Sequence, residues 1–317
     1  MAATYAPGRY AAIDIGTVTS RLLVADIDAE DALHQLARGH AITNLGEGVD
    51  VSRRLKPEAI ERVADAIAGF VETIEQLGPD AQGRPTQVTA VTTSAARDAE
   101  NGEDLVARLA QLGVDLQIIP GEREAALSFG GVSSAFGGQR IVVSDVGGGS
   151  SEIIVGDAGQ APEFAHSFNV GCRRATERFL HSDPPTEDEI GRMRAWVRSV
   201  FAEELPDATV LDGCSMVAVA GTATSVVSIR EAMEIYDSSR VHLARVTMGD
   251  MDALLERLAA LPLAERRKVV GLEPKRAPVI VAGVVIMQEV MRMGGFDAFT
   301  VSESDILAGV IYSACTR

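Results

Sequence analysis

Apolar positions along this chain switch repeatedly between short continuous runs and spacings of three and four. The runs at 10–13 and 22–24 are bounded by polar turn residues, the pattern of buried strands. Across Pro57–Leu77 the apolar residues fall at Ile60, Val63, Ala64, Ile67, Phe70, Val71 and Ile74, one face of a helix closed by Gly78-Pro79. A strand at 87–91 runs into a polar turn, 92–97, and a helix through Leu109. A strand at 116–119 and a helix at 122–132 follow, and then a glycine-rich joint, Gly130-Gly131 to Gly137-Gly138. The same alternation resumes beyond it. A strand-like approach leads into 168–179, and Thr186 with Glu189 forms a capping box for a helix through Phe201. A strand at 216–220 enters a polar turn, 221–225, which opens a helix. A short run at 246–248 precedes helices at 251–261, 263–270 and 278–293, then a strand Ala298–Val301 and a helix at 305–315. Strands alternating with helices throughout predict an α/β fold.

The most informative pattern is a repeat. Asp14-Ile-Gly-Thr-Val-Thr-Ser-Arg-Leu-Leu-Val-Ala-Asp26 returns 131 residues later as Asp145-Val-Gly-Gly-Gly-Ser-Ser-Glu-Ile-Ile-Val-Gly-Asp157. Asp, Gly, Ser, Val and Asp coincide at 14/145, 16/147, 20/151, 24/155 and 26/157. Each copy reads as strand, tight polar turn and strand. Such a tip can offer backbone N–H groups and hydroxyls to a phosphate while its Asp holds a cation. One Asp-x-Gly turn would mean little, because glycine marks turns everywhere. Two copies in register predict a duplicated domain with two phosphate loops facing one cleft. Gly221-Thr222-Ala223-Thr224-Ser225 is a third candidate phosphate-binding turn. The boundary is placed at the glycine-rich joint, giving domains 1–130 and 131–302, with the terminal helix, 303–317, free to pack back on the first.

The 317 residues suffice for two cores, and aromatics at 4% leave those cores to Ala, Val, Ile and Leu. A net charge of −16 argues against a nucleic-acid binder, which needs a basic face. It leaves open a polyphosphate held locally by N–H donors, arginine and a cation. Cys172, Cys214 and Cys315 form no CxxC pair and read as reduced thiols of a cytoplasmic protein. The five histidines form no HxxxH or HD pair. The N-terminus has no apolar signal core, and the run at 277–287, stopped by Gln288 and Glu289, reads as a buried helix too short to span a membrane. Arg266-Arg267-Lys268 reads as a solvated helix face, and Cys172 as packing.

Taken in order, the segments resemble the exopolyphosphatase/guanosine pentaphosphate phosphohydrolase (Ppx/GppA) family over nearly the whole chain. They are Ala12-Ile-Asp-Ile-Gly-Thr, Thr93-Ser-Ala-Ala-Arg-Asp-Ala, Gly121-Glu-Arg-Glu-Ala, Asp145-Val-Gly-Gly-Gly-Ser-Ser-Glu and Asn169-Val-Gly-Cys. Thr176-Glu-Arg-Phe, Gly221-Thr-Ala-Thr-Ser, Tyr236-Asp with Val241-His242, and Gly271-Leu-Glu-Pro-Lys-Arg-Ala complete the series. The resemblance implies two ribonuclease-H-like domains of the actin and sugar-kinase superfamily, with an active site in the cleft between them. It implies metal-assisted hydrolysis of terminal phosphoanhydride bonds of polyphosphate, or of the 5′ phosphate of guanosine pentaphosphate, and is compatible with a homodimer. Alternatives are a sugar or acetate kinase, and a non-catalytic module that senses (p)ppGpp or polyphosphate.

On this resemblance Glu124 is the general base, with Glu122 its rival. Asp14, Asp145 and Glu152 are the carboxylates for Mg2+. Gly147, Gly148, Gly149, Ser150 and Ser151 cradle phosphate, and Thr17, Thr19 and Arg21 form the first cradle. Ser94, Gly221 and Thr222 line further turns, and Arg97 and Arg276 are phosphate clamps, since a guanidinium matches phosphate oxygens bidentately. The chain departs from the family pattern at Val18, where Asn is usual, at Leu243 in place of Gly, and at Leu307 and Ala308, which replace two charges.

Overall fold

The computed structural model describes residues 5–206 and 208–316. The chain forms two compact units, one running to Gly131 and taking back the segment from Ile306, the other Val132–Asp305.

The first unit contains β1 (Gly8–Ile15), β2 (Thr19–Ile27), β3 (Leu33–Ile42), α1 (Val49–Ser52), α2 (Pro57–Leu77), β4 (Gln87–Thr92), α3 (Ser94–Asp98), α4 (Gly102–Ala110), β5 (Leu116–Ile118) and α5 (Gly121–Ser133). Its sheet has the order β3-β2-β1-β4-β5, with β1, β2 and β3 an antiparallel meander and β4 and β5 parallel to β1. The second unit contains β6 (Arg140–Val146), β7 (Ser151–Asp157), β8 (Phe164–Phe168), α6 (Cys172–Phe179), α7 (Glu187–Glu204), α8 (Ala208–Leu211), β9 (Ser215–Val219), α9 (Ala220–Arg230), α10 (Ser238–Val241), β10 (Arg245–Thr247), α11 (Met248–Ala259), α12 (Leu263–Arg266), α13 (Ile280–Gly294) and β11 (Ala298–Val301). Its order, β10-β11-β9-β6-β7-β8, repeats the first sheet's meander and parallel pair, with β10 added antiparallel at the edge. The fold is α/β with two mixed sheets of one topology. The last helix, α14 (Ile306–Cys315), belongs to the first unit.

The continuous apolar runs follow from burial on both faces. Ala11, Ile13, Ile15, Leu22 and Val24 enter one core with α2 and α4. Tyr10, Ala12, Leu23, Ala25 and Ile27 alternate into another with Ile306, Leu307, Val310 and Ile311 of α14. Leu307 and Ala308 are therefore core residues in this chain, at 1% and 5% exposure. At Gly309 a Cβ would lie 1.8 Å from the Leu127 carbonyl oxygen, so only glycine allows α14 its approach to α5.

Several expectations change. The strand β3 was not visible in the sequence because only Ile42 of it is buried and its alternating stretch, 37–41, puts nothing larger than alanine on the inner side. The helix expected through Leu109 breaks into α3 and α4, because the Glu100 N–H donates to the Arg53 carbonyl and not within a helix. Arg266 is not solvated. It is 4% exposed and donates to the carbonyls of Leu258, Leu261 and Ala277. Gln288 and Glu289, which end the apolar run at 277–287, lie fully buried within α13, inside the helix expected at 278–293. Glu289 accepts from Arg194, Arg198 and Arg292, and Gln288 binds Arg194 and Asp252. The anion is buried but its three arginines are 21%, 56% and 35% exposed, so water screens part of the charge that truncating Glu289 would leave. Among the described residues no helix is long and apolar enough to cross a membrane.

The capping box at α7 gives a pH test. Glu189 accepts the Thr186 N–H at 2.9 Å, and also the N–H groups of His181 and Ser182 and the Ser182 hydroxyl. These bonds, that from Thr186 foremost, favour the carboxylate and bring its pKa down from 4.5 to about 2. A depressed folded-state pKa contributes stability above the unfolded value and loses it as pH falls toward the folded one. The Tm difference between wild type and Glu189→Gln should thus be constant from neutrality to about pH 5 and shrink below that. A difference unchanged down to pH 3 would show that the carboxylate charge has no part in the cap.

Leu243 gives a second test. It is a leucine in the left-handed region, φ 65°, with its side chain 53% exposed and its N–H bonded to Val301. Leu243→Gly removes the Cβ strain without emptying a core and should raise stability by about 1 kcal/mol in denaturant unfolding. A loss of stability would mean that the exposed side chain packs in solution.

Candidate active site

The two hairpin tips share one construction. The Gly16 N–H closes on the Thr19 carbonyl at 2.9 Å, and the Gly147 N–H on the Ser150 carbonyl at 3.0 Å. In each unit the segment after the third strand then returns to the tip and takes its carbonyls. In the first unit Gly46 donates to Thr17, while Thr43 and Asn44 donate to Val18. In the second unit Cys172 donates to Gly147, and Arg173 and Arg174 donate to Gly148, all from the start of α6. The Arg174 side chain adds a bond to the Gly149 carbonyl at 2.8 Å. With the carbonyls turned inward, the N–H groups of Thr17 and Val18, and of Gly148, Gly149 and Ser150, donate to no backbone carbonyl among the described residues. Consecutive amides so placed form a concavity suited to anionic oxygens.

The returning segments are themselves a repeat that the sequence reading missed. Asn44-Leu45-Gly46 corresponds to Asn169-Val170-Gly171, and the glycine is required in both. A Cβ at Gly46 would lie 2.3 Å from Thr17 Cγ2, and one at Gly171 2.4 Å from the Gly148 carbonyl. Asn-x-Gly after a strand was the available signal. The paired serines fasten the same segments. Ser20 bonds Thr43 at 3.0 Å, and Ser151 donates to the Val170 carbonyl, so the Ser151 hydroxyl is engaged in holding the loop. Ser150 is buried beside it, and Thr19 is half-buried at the head of β2. Val18 is 4% exposed, packed within the loop whose carbonyl it supplies.

The leading carboxylates have different settings. Asp14 pairs across the hairpin with Arg21, whose Nη2 is 2.6 Å from its Oδ2. Asp145 pairs with Glu152, and both are buried. Glu152 accepts from Ser167, its partner on the next strand, at 2.6 Å. Directly opposed residues on antiparallel strands share a face, so the second unit holds two adjacent carboxylates where the first holds an ion pair. Among the described residues no group of three or more His, Cys, Asp or Glu is arranged to hold a metal.

Other candidates are brought together in the first unit. Thr17 and Ser94 hydroxyls lie 2.9 Å apart. Arg97 Nη1 donates to Glu124 Oε2 at 3.1 Å and to the Ile119 carbonyl at 3.0 Å. Glu124, in the first turn of α5, is 8% exposed, whereas Glu122 is exposed. In the second unit Arg276 is buried, against the expectation open to a residue beside Lys275. Its guanidinium lies on Gly221, where a Cβ would meet Nη1 at 2.1 Å. The Gly221 carbonyl accepts the Ser225 hydroxyl at 2.6 Å, and Thr222 is buried against Gly283 of α13. Glu273, unflagged by sequence, has its carboxyl pushed up by burial, opposed by Arg276 and Lys275. Burial likewise pushes the Cys172 thiol up, which keeps it protonated and suits packing. Tyr236 and His242 both bond Glu303, a residue that no motif had indicated.

Comparison with known proteins agrees with this construction. The family model described as the Ppx/GppA phosphatase family matches residues 23–317. Exopolyphosphatase 2 of Mycobacterium tuberculosis is 37% identical, covering 96% of this chain and 98% of its own. The crystal structure of an exopolyphosphatase from Cytophaga hutchinsonii superposes with TM-score 0.85 at 27% identity, over 96% of this chain and 97% of that one. That of the Aquifex aeolicus Ppx/GppA enzyme gives 0.79 at 27% identity, over 96% and 99%. Matching in fold and in sequence over almost its full length, the chain belongs to the Ppx/GppA phosphatase family.

Proposed function

We propose that the protein hydrolyses the terminal phosphoanhydride bond of inorganic polyphosphate, with the 5′ phosphate of guanosine pentaphosphate as a second substrate of the same chemistry. The observation that carries this reading is the buried Glu124 carboxylate held by Arg97 at the start of α5. A carboxylate fixed in place can orient a water and take its proton. The water oxygen then bonds to the terminal phosphorus, the bridging P–O bond breaks, and its electron pair leaves with the shortened chain. Within the second unit the amides of 148–150 and the buried Arg276 are groups suited to phosphate oxygens. A relative at 37% identity that is named an exopolyphosphatase supports polyphosphate as the substrate.

The donor set fits Mg2+ in the second unit. Two buried carboxylates in direct opposition repel, and an oxygen-seeking divalent cation relieves that repulsion. Asp145 and Glu152 would hold it, and it would neutralise phosphate oxygens when bound. At Asp14 a cation would compete with the Arg21 guanidinium. Asp14 and Arg21 therefore read as a pair that aims the arginine at an anion.

Glu124→Gln should lower kcat for phosphate release by about 10²–10⁴ with KM little changed, while Glu122→Gln stays near wild type. The reverse ranking would move the base to Glu122. Both bonds leave one nitrogen, Nη1, which the shorter side chain of lysine does not reach, so Arg97→Lys should lower kcat by about tenfold at nearly constant KM. A raised KM with unchanged kcat would make Arg97 a phosphate clamp instead. Asp145→Asn should raise the Mg2+ concentration for half-maximal rate by about tenfold or more. An unaltered Mg2+ response would remove Asp145 from the cation site.

A further inference from the structure

In the second unit β6, β9 and β11 run parallel, so their carboxyl ends share one edge of the sheet. Open α/β sheets bind ligands outside that edge. There β6 leads into the loop 147–151 and β9 into the turn at Gly221. The end of β11 leads into Ser302 and Glu303. The Ser302 N–H donates to the Ala218 carbonyl at 2.9 Å, which sets this segment beside the Gly221 turn. On the other side of β11 the segment 235–243 closes onto the same end. The Leu243 N–H donates to the Val301 carbonyl at 2.8 Å. The Tyr236 hydroxyl donates to Glu303 Oε1, and His242 Nδ1 accepts the Glu303 N–H at 3.3 Å.

This end of the sheet keeps apolar surface in water. Ile235, Tyr236 and Leu243 are 86%, 49% and 53% exposed. They are three of the seven large hydrophobic residues so exposed among the described residues, and their bonds bring Tyr236 and Leu243 to positions two residues apart at one strand end. Leu243 is also held at φ 65°, strained, with its side chain in solvent. Exposed apolar surface maintained against backbone strain is a mark of a binding surface. The half-buried Glu303 decides what kind of ligand fits. A carboxylate only accepts, so it repels phosphate oxygens and favours a flat group with adjacent N–H donors. Guanine carries such a pair, N1–H and N2–H, on one edge, whereas adenine sets an acceptor beside its donor. A tyrosine ring stacks on either base. One to two strand spacings, about 5–10 Å, separate this place from the Gly221 turn, a gap that a ribose bridges.

We infer that Tyr236, Leu243 and Glu303 form a subsite for the guanine of guanosine pentaphosphate, with Tyr236 and Leu243 against the ring and Glu303 on its N–H edge. The inference rests on the second substrate proposed above and gives it a reader of the base, which inorganic polyphosphate does not need.

The test uses the full chain and three probes in calorimetry: guanosine tetraphosphate, its adenosine counterpart, and pyrophosphate. Neither nucleotide carries the third 5′ phosphate that is removed. Wild type should bind the guanosine probe about tenfold more tightly than the adenosine one. Glu303→Gln should erase that preference and leave adenosine affinity within about twofold. Tyr236→Ala should weaken both nucleotides by about tenfold, and Tyr236→Phe, which keeps the ring, by about threefold at most. Leu243→Gly should also weaken both, and because it relieves strain the loss cannot be ascribed to unfolding. Pyrophosphate affinity should stay within about twofold in every variant, since the phosphate groups bind elsewhere. Equal affinity for the two nucleotides in wild type, or parallel losses for pyrophosphate, would overturn the inference. So would a concentration-dependent self-association that Tyr236→Ala abolishes with probe affinities unchanged, which would make the patch a contact between copies. Phosphate release from polyphosphate without any nucleotide binding would sink the subsite and leave the hydrolysis standing. Base-selective binding that the variants erase, without phosphate release from guanosine pentaphosphate or polyphosphate, would sink the proposed hydrolysis and leave the subsite standing.

Discussion

Everything at the candidate site depends on how a tight turn disposes of its carbonyls. A glycine-rich tip has donors and acceptors in equal number, and an anion is attracted only if the acceptors are occupied elsewhere. Here a segment that returns after the third strand occupies them, at Thr17 and Val18 in one unit and at Gly147 and Gly148 in the other. The approach is so close that Gly46 and Gly171 admit no side chain. Ser20 and Ser151 then hold those segments by their hydroxyls. The row of amides that donate to no backbone carbonyl is thus a consequence of how the loop carbonyls are satisfied.

The duplicated units have diverged in charge at one register position. Opposite the leading aspartate stands Arg21 in one and Glu152 in the other. The first pair neutralises itself and leaves a guanidinium near its amides. The second sets two buried carboxylates opposite each other. The surrounding sheets make this tolerable, because strands buried on both faces hold the hairpins rigidly while the tips alone carry polar function.

Strain accompanies this arrangement. Leu243, Ala220 and Arg53 occupy left-handed conformations without being glycine. Ala220 opens α9 just before Gly221 and its overlying Arg276, and Arg53 carries the exposed charge beside the first loop. Such residues persist when neighbouring hydrogen bonds fix the backbone, as the Glu100 N–H does for Arg53 and the Val301 carbonyl does for Leu243.

Local pattern alone determined the α/β class, the bounds of α2, the capping box of α7, and the paired hairpins. Each rests on periodicity, on capping chemistry, or on a repeat of identical residues at one offset, and those signals lie within a few turns of chain. The family followed from the order of short motifs. Tertiary structure decided what depends on partners distant in sequence. The Thr186–Glu189 cap was legible because its partners are three residues apart, but the Arg97–Glu124 pair spans 27 residues and was not. The strand β3 escaped notice because an edge strand with only Ile42 buried carries a weak apolar signal. Arg266 looked like a surface charge, since a sequence does not show which carbonyls will fold around a charge to satisfy it. Burial of a charged group is a property of its assembled surroundings, and only the fold supplies them.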